Sequence, residues 1–311
     1  MIARDAPAIV WFRQDLRLAD NPALHAAVAS KRPLVVVYIL DDNTSGEWKL
    51  GAASRWWLHH SLTALAKDVA KRGAALTLRR GKAAPLLKAL VKETGAGAIY
   101  WNRVYEPYAV AHDTALKDGF AKAGIDVVSC NGALLNEPWT VKTKTGEPFK
   151  VFTPFWRASL QLAPRAILRA PKTLNGINSE VASDALASWR LLPTKPNWAK
   201  TFEPEWTPGE AGARRALDNF IADRLQDYAE ARDRLGVNGT SRLSPHLHFG
   251  EISPVQVRAA IDAATAHHPT FQRGADKYLS ELGWRDFSAN LLYHFPRLPT
   301  DNWRDQFDAF P

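Results

Sequence analysis

The unbroken apolar run Leu34-Val-Val-Val-Tyr-Ile-Leu40 narrows the fold more than any other stretch of this chain. A strand with one wet face alternates apolar and polar residues, so a run without alternation belongs to a strand covered on both sides. Such strands occur in parallel sheets with helices on both faces. The surrounding pattern agrees. Further strands are predicted at Ala8–Phe12, 74–78, 98–101 and 126–129. Between them, Leu58, Leu62, Leu65 and Val69 recur at helical spacing with Gly73 as the stop. Leu86, Leu87, Leu90 and Val91 mark a second helix ending near Gly95, and Pro107 opens a third that runs to Gly124. The alternation predicts an α/β unit over 1–135, built on a doubly wound parallel sheet. No Gly-x-Gly-x-x-Gly follows the first strand and no Walker loop occurs, so this sheet carries neither common nucleotide-binding fingerprint.

From about residue 136 the pattern changes. Pro138, Pro148, Pro154, Pro164, Pro171, Pro193, Pro196, Pro204 and Pro208 punctuate a stretch with only short apolar runs. It reads as a long, partly ordered connector over 136–208. A helical pattern takes over from Gly209. Leu217, Phe220, Ile221, Leu225 and Tyr228 share one face, and further helices are predicted over 255–266 and 275–293. The last unit, 209–311, is therefore expected to be all-α.

Charge and cysteine usage restrict the function. Net charge is 40 − 32 = +8, which suits a polyanionic partner. The excess is uneven: 140–200 holds 10 Lys/Arg against 3 Asp/Glu, whereas 211–311 holds 12 against 13. On charge alone the middle segment reads as a solvated basic connector, apart from the candidate binding residues described next. Twelve Trp in a basic chain suit stacking on bases or aromatic cofactors. Cys130 is the single cysteine, so no internal disulfide can form and a cytoplasmic setting is expected. No apolar run is long enough to cross a bilayer, and the first residues lack the apolar core of a secretory signal. A membrane role is not expected.

Two constellations carry chemistry. The first is Thr240-Ser-Arg-Leu-Ser244, just after the turn signal Asn238-Gly239. Its hydroxyls, backbone N–H groups and Arg242 could cradle a pyrophosphate, or it could be an ordinary hydroxyl-capped helix start. The second is Glu281, Trp284, Arg285 and Ser288, whose offsets put all four on one helix face. There the Trp could floor a base and the carboxyl group could bond its edge. The alternative is a Trp covering the core beside an ordinary Glu–Arg pair. His246 and His248 lack metal-ligand spacing and read as helix-terminus residues, and no metal site is expected. Asp41-Asp42 reads as a solvated loop.

Four segments in order resemble the photolyase/cryptochrome family: Val10-Trp-Phe-Arg-Gln-Asp-Leu-Arg-Leu-Ala-Asp-Asn-Pro22, Phe149-Lys-Val-Phe-Thr-Pro-Phe-Trp156, Thr240-Ser-Arg-Leu-Ser-Pro245 and Glu281-Leu-Gly-Trp-Arg-Asp-Phe287. With Glu281 and Trp284 both kept, the pattern is closest to the microbial cyclobutane-dimer photolyases. The resemblance implies a helical FAD-binding domain and light-dependent repair of ultraviolet-damaged DNA. In that reaction, a carbon–carbon (deoxyribodipyrimidine photo-) lyase step, reduced FAD passes an electron to a flipped-out pyrimidine dimer. Photolyases are among the enzymes known to flip their target out of the duplex. The implied catalytic residues are Glu281 and Trp284. The implied cofactor contacts are Tyr228 (as a lid), Thr240, Ser241, Arg242, Leu243, Ser244, Tyr278 and Arg285. The implied DNA contacts are Glu281, Trp284, Arg285 and Ser288.

Members of the family normally carry an antenna pigment against the sheet domain, but the Asn-Glu pair of folate-using bacterial members is missing after Tyr105-Glu106, which leaves a different folate pocket, a deazaflavin or no antenna open. The same resemblance leaves room for a cryptochrome-type flavin photosensor or an inactive truncated fragment, and a monomer is expected. The family's remaining flavin contacts and Trp relay lie beyond the position of Pro311. The helical domain is therefore expected to be C-terminally incomplete and the chain to be part of a longer product.

Overall fold

The computed structural model describes residues 5–310. Residues 1–4, part of the stretch read above as lacking a secretory core, and Pro311 lie outside the described residues. Five parallel strands form one sheet: β1 (Ala8–Phe12), β2 (Leu34–Leu40), β3 (Leu76–Arg80), β4 (Ala98–Asn102) and β5 (Asp126–Cys130), in the order β3-β2-β1-β4-β5. Between them run α1 (Pro22–Ala29), α2 (Ala52–Ala70), α3 (Ala83–Thr94) and α4 (Pro107–Lys122). The third strand lies two residues beyond the predicted 74–78, because its register is set by pairing Val36 with Leu76.

Strand side chains alternate between two apolar layers, as the pleat requires. Val10, Phe12, Val36 and Tyr38 pack with α1 and α2, while Ile9, Trp11, Val35 and Val37 pack with α3 and α4. Both layers exclude water, which is why β2 needs no polar residue.

The connector is more integral than its prolines suggest. Leu174, Trp189, Leu191 and Ala199 are buried in the α1–α2 layer. Its backbone bonds to the sheet domain, with Leu34 N donating to Asn175 O at 2.7 Å and Asp184 N to Leu78 O at 2.8 Å. It contains one α-helix, α5 (Phe152–Ser159), which packs against the last long helix through Phe155 and Phe287.

The helical part comprises α6 (Glu210–Asp223), α7 (Tyr228–Ala231), α8 (Ser244–His248), α9 (Pro254–His267) and α10 (Gln272–His294). The predicted apolar face from Leu217 to Tyr228 is interrupted, because the chain breaks helix after Asp223 and re-enters it at Tyr228. All five face residues still join one cluster. Ser253 opens α9 with a reciprocal capping box to Gln256.

Residues of the opening signature tie the sheet domain to the helices. Fully buried Arg17 donates to the carbonyls of Asp20 (2.7 Å), Gly132 (2.7 Å) and Gly250 (2.8 Å), and so ties three chain segments together. Asp20 accepts from both terminal guanidinium nitrogens of Arg165, from Leu168 N and from Ser253 Oγ. Burial pushes its carboxyl upward, but these bonds and the Arg165 charge win and hold it below the usual range. Gly250 has φ +65°, and a Cβ there would lie 2.0 Å from Gln14 O, so no other residue allows this approach.

Candidate functional site

Helix α10 carries the second constellation on its outer face. Trp284 is 44% exposed, and its ring lies parallel to Phe152 of α5, with centroids 3.8 Å apart and planes 10° apart. Glu281, one turn earlier, is paired with Arg232 and with Lys277 Nζ at 3.2 Å. The Glu281 bond is the main reason the Arg232 guanidinium holds its proton even more tightly than usual. Ser288 is exposed and returns its hydroxyl to Trp284 O at 2.9 Å within the helix. Arg285 turns inward. Its guanidinium donates to Ala133 O and, at 3.5 Å, to Leu247 O, so it bridges the segment after β5 and α8. Burial lowers its proton affinity, opposed by Asp286 and Glu106.

The loop before α8 sits beside this face. Thr240 and Ser244 are exposed. Ser241 is buried, and its Oγ accepts from Tyr278 OH at 2.9 Å and from Leu243 N at 3.2 Å. Leu243 is wholly within the helical core. Arg242 adopts φ +55° and swings away from the loop, over the Trp206 ring at 4.1 Å and onto Glu205 at 3.0 Å.

Tyr228 is the residue expected as a lid. It is 6% exposed and packs edge-on against Phe220 and Tyr278, as the last residue of an apolar stripe does. Tyr278 is likewise buried and backs the loop through Ser241. Burial raises both phenol pKa values. The structure thus gathers Tyr228, Ser241, Leu243 and Tyr278 into one cluster, with Glu281 at its edge through Arg232. Trp284, Arg285 and Arg242 each point elsewhere.

Beneath the loop lies a group with no sequence signal of its own. Glu251 is 0% exposed and accepts from Trp57 Nε1 (3.0 Å) and Gly209 N (2.7 Å), and its second oxygen lies 2.5 Å from His246 Nδ1. His246 is in the last turn of α8, as expected, but its ring is a buried partner rather than a surface residue. No group of three metal-ligating side chains occurs among the described residues.

A second concavity opens at the carboxyl ends of β1, β2 and β4, where the strand order reverses. Ligands of open α/β sheets bind at that point. The cavity is about 670 Å³ and is lined by Trp11, Arg13, Tyr38, Glu106, Tyr108 and His112, among others. Trp11 Nε1 and His112 Nε2 are buried without a hydrogen-bond partner. His248 is another lining residue. Asp41 and Asp42 also line it, and they are not a solvated loop. Asp41 accepts from Ala83 N at the start of α3 and from Asn43 and Thr44 N, while Asp42 pairs with Arg55 and Arg80. The resemblance implied a pigment against the sheet domain but not these lining residues, because Trp11 and His112 meet only through the crossover between β1 and β4. Among the described residues, no helix is long and apolar enough to cross a membrane.

Comparison with known proteins agrees with this architecture. The DNA photolyase family model matches residues 8–172. The chain is 46% identical over its whole length to a deoxyribodipyrimidine photo-lyase of Agrobacterium fabrum, and covers 64% of that protein. It is 32% identical to cryptochrome-2 of Arabidopsis thaliana over 94% of this chain and 49% of that one. A crystal structure of a bacterial class III photolyase from Agrobacterium tumefaciens superposes with a TM-score of 0.93 at 45% identity, covering 98% of this chain and 63% of that one. The chain thus spans about two thirds or less of the length of these relatives. The order of sheet, connector and helices, and the matches to all three relatives, lead to one conclusion: the chain belongs to the DNA photolyase family.

Proposed function

We propose that this chain forms part of a light-driven DNA repair enzyme that splits cyclobutane pyrimidine dimers with reduced FAD. The observation that carries the reading is the half-exposed Trp284, held flat beside Glu281 on the outer face of α10. An exposed aromatic plane next to a hydrogen-bonding carboxylate suits an extruded pyrimidine pair. Glu281, paired with two cations, accepts from a pyrimidine N–H. Arg232 and Lys277 bring positive charge to the carbonyl oxygens, where negative charge gathers during ring splitting. The exposed cations Lys142, Lys144, Lys150 and Arg157 support the same reading. The sequence had set this basic segment apart from the site, yet α5 packs directly on α10, so phosphate-binding charge flanks the Trp284 face.

The loop residues fit FAD on one count. Thr240 and Ser244 present free-standing hydroxyls, and the Arg242–Glu205 pair is solvent-facing, with side chains 34% and 58% exposed. Such a pair is worth ~0–1 kcal/mol, so Arg242 can exchange it for a phosphate. Thr240, Arg242 and Ser244 would hold the pyrophosphate, with Ser241, Leu243, Tyr228 and Tyr278 as the rigid backing. When bound, reduced FAD supplies the electron that opens the cyclobutane ring.

The cavity at the sheet's carboxyl edge is the proposed antenna site. Its volume is within the usual range for small-molecule sites. The unpartnered Trp11 Nε1 and His112 Nε2 suit a planar heterocycle with acceptor and donor edges, a folate or a deazaflavin. Equilibrium dialysis is expected to give one bound pigment per chain with one of the two. Binding of neither would remove the cavity from the account.

Replacing Trp284 tests the main reading. Trp284→Ala is expected to weaken binding to dimer-containing duplex by roughly ten- to hundred-fold, the scale of losing one base–aromatic stack, and to leave intact duplex almost unaffected. Fluorescence anisotropy on both duplexes measures this. Equal losses on the two would take Trp284 out of the lesion site.

A further inference from the structure

Three aromatic planes lie parallel across the junction of connector and α10. Trp284 stacks on Phe152 at 3.8 Å and 10°, and Phe152 is parallel to Trp156 at 6.4 Å and 9°. Phe287 closes the edge of the stack, 74° from Trp284 and 67° from Phe152. The approach of the two helices depends on Gly283. A Cβ there would lie 2.5 Å from Trp156 Cε3, so only glycine lets α5 seat this closely. Among the described residues no other ring lies over the opposite face of Trp284. One face is therefore fixed by Phe152, and the exposed one remains for a ligand.

A half-exposed Trp on a helix would otherwise sample several rotamers. Stacking a base on it would then cost the entropy of fixing that side chain. Here the cost is met on folding, because the indole lies against a ring that is itself held by α5.

We propose that Phe152 is a positioning residue: it holds the Trp284 indole in the one orientation that offers a flat face to an extruded pyrimidine. Phe152 does not touch the base. The proposal rests on the reading of Trp284 as the lesion contact. It also gives the proline-rich connector a part in substrate selection, since Phe152 lies 132 positions before the side chain it orients.

The test compares Phe152→Leu, Phe152→Tyr and Trp284→Ala in the full chain, with anisotropy on dimer-containing and intact duplexes and urea midpoints for all variants. Phe152→Leu is expected to lose about three- to ten-fold in affinity for the dimer-containing duplex, the scale of one freed side chain, with intact duplex unchanged. Phe152→Tyr keeps the ring and is expected to restore selectivity. If Trp284→Ala loses selectivity while Phe152→Leu keeps it, the positioning role is overturned and the lesion site stands. If Trp284→Ala keeps selectivity, the lesion site itself falls. Equal losses on both duplexes for Phe152→Leu, with a lowered urea midpoint, would show a purely structural ring and also overturn the proposal.

Discussion

Replacing Glu251 with alanine is expected to lower the unfolding free energy by roughly 3 kcal/mol or more, because each buried donor left without its acceptor costs ~1–3 kcal/mol. Glu251 is wholly buried, and its partners come from three parts of the chain: Trp57 on α2, Gly209 at the end of the connector, and His246 on α8. Its removal leaves the indole N–H and the Gly209 N–H buried without acceptors, and it strands the imidazole in a dry site. Surface ion pairs such as Arg273–Glu230 have no comparable role, because water replaces either partner. Urea unfolding of the variant and of the parent chain measures the difference. A loss below ~1 kcal/mol would mean that the sheet domain and helices are held together mainly by their apolar contacts.

The second large effect is a pH dependence. Asp286 is buried on the inner face of α10. One oxygen accepts from Asn136 N at 2.8 Å, and Oδ1 has no partner. Burial pushes this carboxyl up to about 7, against the opposing pull of the Asn136 and Leu135 N–H groups and the Arg285 charge. The folded chain therefore keeps a proton that the unfolded chain releases above its ordinary 3.8. Stability from this group is complete below that value, declines as pH rises toward about 7, and is flat above it. The full difference corresponds to ~4 kcal/mol.

Asp286→Asn cannot ionise and keeps an acceptor for Asn136. The variant is expected to gain stability over the parent steadily from pH 4 to pH 7, up to that ~4 kcal/mol, and then to hold a constant lead. The difference between the two curves isolates Asp286 from groups such as Asp20 and Asp113, whose depressed carboxyls act in the opposite sense at low pH. A flat difference would show that water or rearrangement relieves the buried charge.

The legible parts of this fold were those specified by local pattern. The two-sided strand at Leu34–Leu40, the helix stop at Gly95 and the proline start at Pro107 all depend on neighbours in sequence, and each appears in the sheet domain. Contacts made at long range were not legible. Arg232 reaches Glu281 across 49 positions, and Glu251 meets Trp57 across 194. Neither carboxylate sits in a pattern that announces its partner.

The connector was the least legible segment. Its prolines exclude regular ladders but not burial, so Trp189 and Leu174 enter the core from irregular backbone. For the candidate site, the offsets on α10 gave the shared face of Glu281, Trp284 and Ser288. They could not show that Arg285 leaves it for two backbone carbonyls, or that Tyr228 and Tyr278 are buried beneath the loop.

The most direct test of the proposed activity is the dimer content of ultraviolet-irradiated duplex DNA, followed under blue light and in the dark with the FAD-loaded, chemically reduced protein. The account predicts that dimers disappear in the light and persist in the dark. Tight binding of both FAD and dimer-containing DNA, with dimer content unchanged by light, would contradict it and leave a flavin-binding photosensor in its place.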